Sequence, residues 1–287
     1  LYSAAFAVVA RHCAPHRVRD HITTLTLWGG FASTVFIPLI EFMMAYLDWR
    51  QVLMVLGGVN ILVCAGVYAF LPSPLAPSVA TDTVASSPRL ADDMPTPAWA
   101  LMQPIFWALL ICFALYAAIA SSFRFHLYPM LIENGLTGKD AVFILALLGP
   151  GQVAGRALMK VFRDQSIAAI GIFVAALFPL AFLAIILFPD HFPVLVVAGV
   201  VYGAAAGTMT IVKGLAVPAF LTRHAYGLIN GLMNTPITVL KAFAPSLAAV
   251  TWTVTGTYQT LMQGLLAASA VMLMAFVLAA MIGRRKG

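Results

Sequence analysis

Eight apolar segments constrain this chain more than any motif in it: roughly 22–46, 51–71, 104–127, 140–162, 166–188, 193–215, 226–250 and 258–283. About 20 apolar residues in helical form cover the hydrocarbon core of a bilayer. Inside lipid each backbone polar group has to find a partner, and none of these segments alternates as a membrane strand does, so the spans are expected to be helical. With 62% hydrophobic and 9% charged residues among 287, and a mean hydropathy of +0.97, a soluble domain is excluded. The expected fold class is an all-α integral membrane protein with eight complete transmembrane helices and an N-terminal stump.

The stump is Leu1 to Ala10, apolar but only half a membrane thickness long, and the chain is expected to begin inside a helix. A signal peptide would need a basic start and small residues before a cleavage point, whereas this run leads into Arg11, His12, Arg17 and Arg19. Lys and Arg fall unevenly between the loops. One set carries Arg11, Arg17 and Arg19, then Arg156, Lys160 and Arg163, then Arg223, then Arg284, Arg285 and Lys286; the alternate set carries only Arg50 and Lys139, each beside an Asp. The basic set is therefore expected to face the cytoplasm, as is the C-terminus. The net charge of +6 then reflects topology, and no nucleic-acid partner is expected. Cys13, Cys64 and Cys112 are not expected to form an oxidised pair.

The polar interval PSPLAPSVATDTVASSPRLADDMPTP is rich in Pro, Ser and Ala and reads as a flexible connector. It divides the chain into an incomplete front part at 1–71, a cytoplasmic linker at 72–103 and a six-helix bundle at 104–287. Local motifs then suggest a family. ITTLTLWGGFASTVFIPL followed by LDWRQVL resembles helix five, its outer loop and the start of helix six in bacterial members of the major facilitator superfamily. GPGQVAGRALMKVFRDQ resembles that family's loop between helices eight and nine, and HLYPMLIENGLTGKDAV resembles helix seven and its outer loop in the monocarboxylate and oxalate-formate branch. A short echo, AFAVVARH against AFLTRH, occupies equivalent places in the two halves. The resemblance implies a bundle of that superfamily's type in the bacterial inner membrane, a stump that ends helix four, and absent helices one to three that a complete fold needs.

A charge inside hydrocarbon costs at least about 2.5 kcal/mol, so an intramembrane charge usually faces a cavity, a partner or an interface. Four qualify. Lys241 lies near the middle of its span and shares with Asn230, Asn234 and Thr238 a sector of about 80°; one polar stripe on an apolar helix is expected to wall a cavity, the alternative being Asn–helix bonding. The oxalate-formate branch resembles this in placing a cation on helix eleven for an anionic substrate. Arg124, with Ser121 and Tyr128 on its face, is expected either to grip a carboxylate bidentately or to snorkel. Glu41 is a candidate proton carrier or counter-charge, or else an interfacial Glu paired with a cation. Lys213 is expected to be a snorkelling anchor.

Three cations against one Glu point to a small organic anion as substrate, such as a monocarboxylate, carried by alternating access, with a proton or counter-anion possible as the coupled species. Phe31, Trp107 and Tyr116 support the alternative of an apolar or drug-like substrate. The family's helix eight to nine loop makes Arg156, Arg163 and Asp164 candidates for a cytoplasmic gate. Gly199, Gly203 and Gly207, with the shorter pairs Gly151 and Gly155, and Gly227 and Gly231, are expected to be close-packing faces able to slide. An enzyme is not expected: His12 and His16 have metal-pair spacing, but no acidic ligand completes a site and no phosphate loop or triad occurs, so neither metal nor cofactor is implied. The third alternative is an inactive, truncated transporter or a structural membrane protein.

Overall fold

In the computed structural model the described residues are 6, 9, 18–70, 96–162, 164–222 and 226–284, and within them the side chains of Arg19, Gly30 to Thr34, Ile37, Pro38, Glu41, Tyr68, Phe70, Lys160 and Arg284 lie outside the description. All the described elements are helices: α1 (Val18–Met44), α2 (Trp49–Phe70), a short α3 (Pro97–Leu101), α4 (Pro104–Glu133), α5 (Gly138–Val161), α6 (Ile167–Leu187), α7 (Phe192–Phe220), α8 (Tyr226–Thr255) and α9 (Tyr258–Arg284). Among the described residues seven of them, α2 and α4 to α9, are long and apolar enough to cross a membrane. α1, at 27 residues, matches them in length.

The helix starts follow local chemistry. Thr137 caps α5, accepting from the Asp140 backbone N–H at 3.3 Å while its hydroxyl donates to the Asp140 carboxylate at 2.7 Å. Ser166 caps α6 by accepting from the Ala169 N–H at 3.1 Å. Each satisfies a donor that the first helical turn leaves without a partner. Several ends lie beyond the expected spans. α4 runs past Pro129 to Glu133 and stops where Gly135 takes φ +88°, with the Leu136 N–H turned back to the Leu131 carbonyl at 3.1 Å. α8 continues to Thr255 rather than ending near 250, with the Thr251, Thr253 and Thr255 hydroxyls donated to carbonyls one turn back. α5 ends at Val161, next to the end of the span expected over 140–162, its last turns formed by the helix-favouring run Arg-Ala-Leu-Met-Lys.

The chain forms two compact units, Leu1–Gly30 with Pro95–Gly287, and Phe31–Met94. In the second unit the described side chains of α2 are exposed or half-buried apart from Val52. In the first, the principal helix pairs are α5 with α7, α4 with α8, α4 with α9, α6 with α7, and α6 with α9. Exchanging α4 with α7, α5 with α8 and α6 with α9 maps this set of pairs onto itself. That is the signature of two three-helix repeats around a pseudo-twofold axis. The core between them is aromatic: Tyr202 lies 4.4 Å from Phe123, 5.4 Å from Phe178 and 5.8 Å from Phe182, ring centre to ring centre.

Candidate functional site

The polar stripe of α8 meets α7 at Asn234. Lys213 Nζ donates to Asn234 Oδ1 at 2.9 Å, and the Lys241 ammonium, two turns further along α8, lies within electrostatic reach of Lys213. Along the stripe Asn230 is buried, Asn234 half-buried, and Thr238 and Lys241 exposed. Among the described residues neither Lys213 nor Lys241 has a carboxylate within ion-pair distance. Two ammonium groups thus lie within electrostatic reach of each other, one half-buried against a neutral amide and the other exposed. Lys213, expected as a snorkelling anchor, is half-buried and its ammonium is held by the neighbouring helix.

Arg124 and Tyr128 are exposed on α4, and no hydrogen bond among the described residues joins them to this set. Arg124 is within electrostatic reach of the Tyr116 and Tyr202 hydroxyls. The Tyr128 hydroxyl covers Gly138 at the start of α5, 3.4 Å from where a Cβ would stand. Of the aromatics considered for an apolar cavity, Tyr116 donates to the Ala206 carbonyl at 2.9 Å and packs edge-on to Phe178, while Trp107 donates to the Leu101 carbonyl at 2.8 Å. Both are engaged in packing. The side chains of Glu41 and Phe31 lie outside the described residues, as does Arg163; Asp164 is exposed.

Arg156 sits inside α5 with 6% of its surface exposed and donates from Nη1 to the Thr26 carbonyl of α1 at 3.0 Å. Its Nε has no partner among the described residues. Phe6 packs against Gly214 of α7, where a Cβ would lie 2.6 Å from its ring. Both contacts tie the N-terminal segment to the α5–α7 side of the bundle. That side is a glycine seam: a Cβ on Gly155 would stand 2.1 Å from the Ala204 oxygen, and one on Gly207 would stand 2.2 Å from the Gln152 oxygen. Backbone meets backbone there, and the Thr208 hydroxyl bonds across to the Gly155 carbonyl at 2.9 Å.

The sequence model of the Major Facilitator Superfamily matches residues 1–235. The chain belongs to that superfamily. Two solved structures of the transporter FucP share its fold. One is a variant of the E. coli fucose:proton symporter, 14% identical, with a TM-score of 0.64 over 100% of this chain and 73% of that chain. The other is FucP in the outward conformation, 14% identical, with a TM-score of 0.64 over 100% of this chain and 72% of that chain. A search of curated proteins gives no match. The chain therefore has the transporter fold in which a substrate site lies between helix repeats near the bilayer midplane.

Two supports of this transporter had no sequence signal. Pro218 supplies no N–H to the Gly214 carbonyl four residues back, and the Tyr226 hydroxyl of the next helix donates to it instead at 3.0 Å. At the opposite end of α8, Glu133 accepts from Trp252 Nε1 at 3.0 Å, the Thr257 hydroxyl at 3.0 Å and the Tyr258 backbone N–H at 2.7 Å. A carboxylate at the first residue of α9 meets the positive end of that helix. Beside it His126 donates from Nε2 to the Pro245 carbonyl at 3.0 Å, with Nδ1 3.4 Å from the Tyr258 hydroxyl. Glu133 thereby clasps α4, α8 and α9.

Proposed function

We propose that the protein is a secondary transporter of a small organic anion, such as a monocarboxylate, with Lys213 and Lys241 as the anion's counter-charge. The observation that carries this reading is the 2.9 Å bond from Lys213 Nζ to Asn234 Oδ1, with a second ammonium in reach and no carboxylate on either among the described residues. A carboxylate between the two ammonium groups turns their repulsion into two charge-assisted hydrogen bonds. Asn234 and Asn230 orient the bound anion, Thr238 lines its path, and Arg124 with Tyr128 form a separate entry point. Glu41 is the candidate proton carrier or counter-charge. Arg156, with Arg163 and Asp164, belongs to a cytoplasmic gate, a role supported by the buried bond from Arg156 to α1.

In this reading 1–71 belongs to the N-terminal bundle, 72–103 is the cytoplasmic linker and 104–287 is the C-terminal bundle. The distribution of Lys and Arg supports a bacterial inner-membrane location with the C-terminus in the cytoplasm.

The test is uptake of labelled small carboxylates and of a neutral sugar into proteoliposomes. Lys241→Ala and Lys213→Ala each remove a charge-assisted bond of about 1.5–3 kcal/mol, so carboxylate affinity is expected to fall about 10–100-fold. Sugar uptake that survives both substitutions, with carboxylates ignored, overturns the proposal.

A further inference from the structure

α8 carries Pro245 one turn beyond Lys241, and proline has no N–H, so the Lys241 carbonyl receives no bond from the residue four ahead. Helices bend at such places. The segment beyond the break is tied down. Glu133 of α4 accepts from Trp252 at 3.0 Å, and His126 of α4 donates from Nε2 to the Pro245 carbonyl itself at 3.0 Å. The segment from Tyr226 to Lys241, which bears the polar stripe, leads away from this anchor on the other side of the break.

The half-buried His126 ring is set by a third helix. A carbonyl only accepts, so Nε2 holds a proton, and Nδ1, 3.4 Å from the Tyr258 hydroxyl of α9, is left to accept. Tyr258 is itself fixed, its backbone N–H on Glu133 at 2.7 Å and its ring stacked 5.8 Å from Trp252. A proton taken from solvent at Nδ1 turns the Tyr258 hydroxyl from donor to acceptor. It also makes the bond to Pro245 charge-assisted, roughly twice as strong as a neutral one. Histidine is the side chain that ordinarily changes charge between about pH 5 and 8. Of the elements packed on α4, α9 turns Tyr258 to the ring, α8 carries Lys241 one turn before Pro245, α5 opens with Lys139 and Asp140, and α7 follows His191 and holds Tyr202 and Lys213. α4 itself carries Arg124 and Tyr128 beside His126, and its one carboxylate, Glu133, lies about 10 Å further along the same face. A charge added at His126 therefore has Glu133 to attract it, against Arg124 and Lys241.

We propose that His126 is a proton-sensitive pin at the Pro245 hinge of α8 and thereby sets the position of Lys241. The inference rests on the reading of Lys241 as the anion's counter-charge. His126 touches no substrate and acts through Pro245 as a positioning residue. Acidification tightens the pin, holds the stripe of α8 at the angle that binds the anion, and raises anion affinity. Loss of the proton loosens the hinge.

The test has two readouts on the full chain in lipid nanodiscs and proteoliposomes, each at pH 7.5 and pH 5.5. The first needs no substrate: electron–electron distances between genetically encoded nitroxides at exposed Leu228 of α8 and exposed Phe173 of α6, and in a second sample between Leu228 and exposed Met274 of α9. The 17 residues from Leu228 to Pro245 span about 25 Å, so each 10° of bend moves Leu228 by about 4 Å. Acidification is expected to narrow and shift the wild-type distances. His126→Gln keeps an N–H donor for Pro245 but does not titrate, and is expected to give one narrow distribution at both pH values; His126→Ala is expected to give one broad distribution at both. The second readout is uptake of labelled carboxylate, whose KM is expected to fall about three- to fivefold on acidification in the wild type, with kcat unchanged, and to stay constant in His126→Gln. Wild-type distances that ignore pH, or a pH response that survives both substitutions, overturn the proposal. Carboxylate uptake whose KM ignores His126 overturns it too and leaves the anion reading standing. A pH response of the distances that depends on His126, with no carboxylate uptake, supports the pin and overturns the anion reading instead.

Discussion

Replacing Gly155 by Ala places a methyl group where the Ala204 oxygen already stands, 2.1 Å from the new Cβ, with the Ala204 carbonyl carbon at 2.7 Å and its Cα at 2.8 Å. All three neighbours are backbone atoms, so no rotamer change makes room. Reaching an ordinary contact of 3.4 Å requires α5 and α7 to part locally by about 1.3 Å. Overpacking of this kind costs about 1–3 kcal/mol, and the parting also stretches the 2.9 Å bond from Thr208 to Gly155, worth about 0.6 kcal/mol in a membrane bundle. Against this, Ala is favoured over Gly in a helix by about 1 kcal/mol. The net expectation is a loss of about 1–2 kcal/mol. Gly264→Ala on α9 meets nothing within 4 Å and keeps only the propensity gain, so the two variants are expected to differ by about 2–3 kcal/mol. Reversible unfolding in mixed detergent micelles measures that difference. A Gly155→Ala protein as stable as Gly264→Ala refutes the close backbone approach of α5 and α7.

Tyr226→Phe leaves the Gly214 carbonyl without a donor and is expected to cost about 1 kcal/mol; Pro218→Ala in the same chain returns an N–H to it, so the double variant is expected to recover the loss in the same unfolding assay. Glu133→Gln weakens the clasp on α9, and hydrogen exchange at the Tyr258 amide is expected to quicken while exchange in the middle of α9 stays unchanged. Arg156→Ala removes the buried bond to α1, and a cysteine placed at buried Thr23 is expected to react faster with a water-soluble thiol reagent than in the parent chain; unchanged labelling refutes a closing role for Arg156.

The long helices were legible because hydropathy over about 20 residues reports directly on the solvent, and the membrane is a demanding solvent. Helix ends were less so. Pro129 and the threonines at 251, 253 and 255 lie beyond the expected spans 104–127 and 226–250, where hydropathy falls away although the helix continues. The polar stripe of α8 was visible as a period of 3.6, since Asn230, Asn234, Thr238 and Lys241 lie on one helix. That Lys213 reaches Asn234 was invisible, because the pair depends on how α7 crosses α8 and not on spacing along the chain. The Glu133 clasp was hidden for the same reason, its partners lying 119 to 125 residues away.

Since the helix pairs of the bundle are unchanged when α4, α5 and α6 trade places with α7, α8 and α9, the bundle amounts to one three-helix part used twice in opposite senses. If the two copies settle into slightly different shapes, swapping those shapes yields a second arrangement of equal packing quality, facing the other way. The energy gap between the two arrangements is then set by the few side chains that break the likeness, among them the Lys213–Asn234 bond and the Glu133 clasp. Substitutions at those places are expected to shift which face of the membrane the resting molecule addresses.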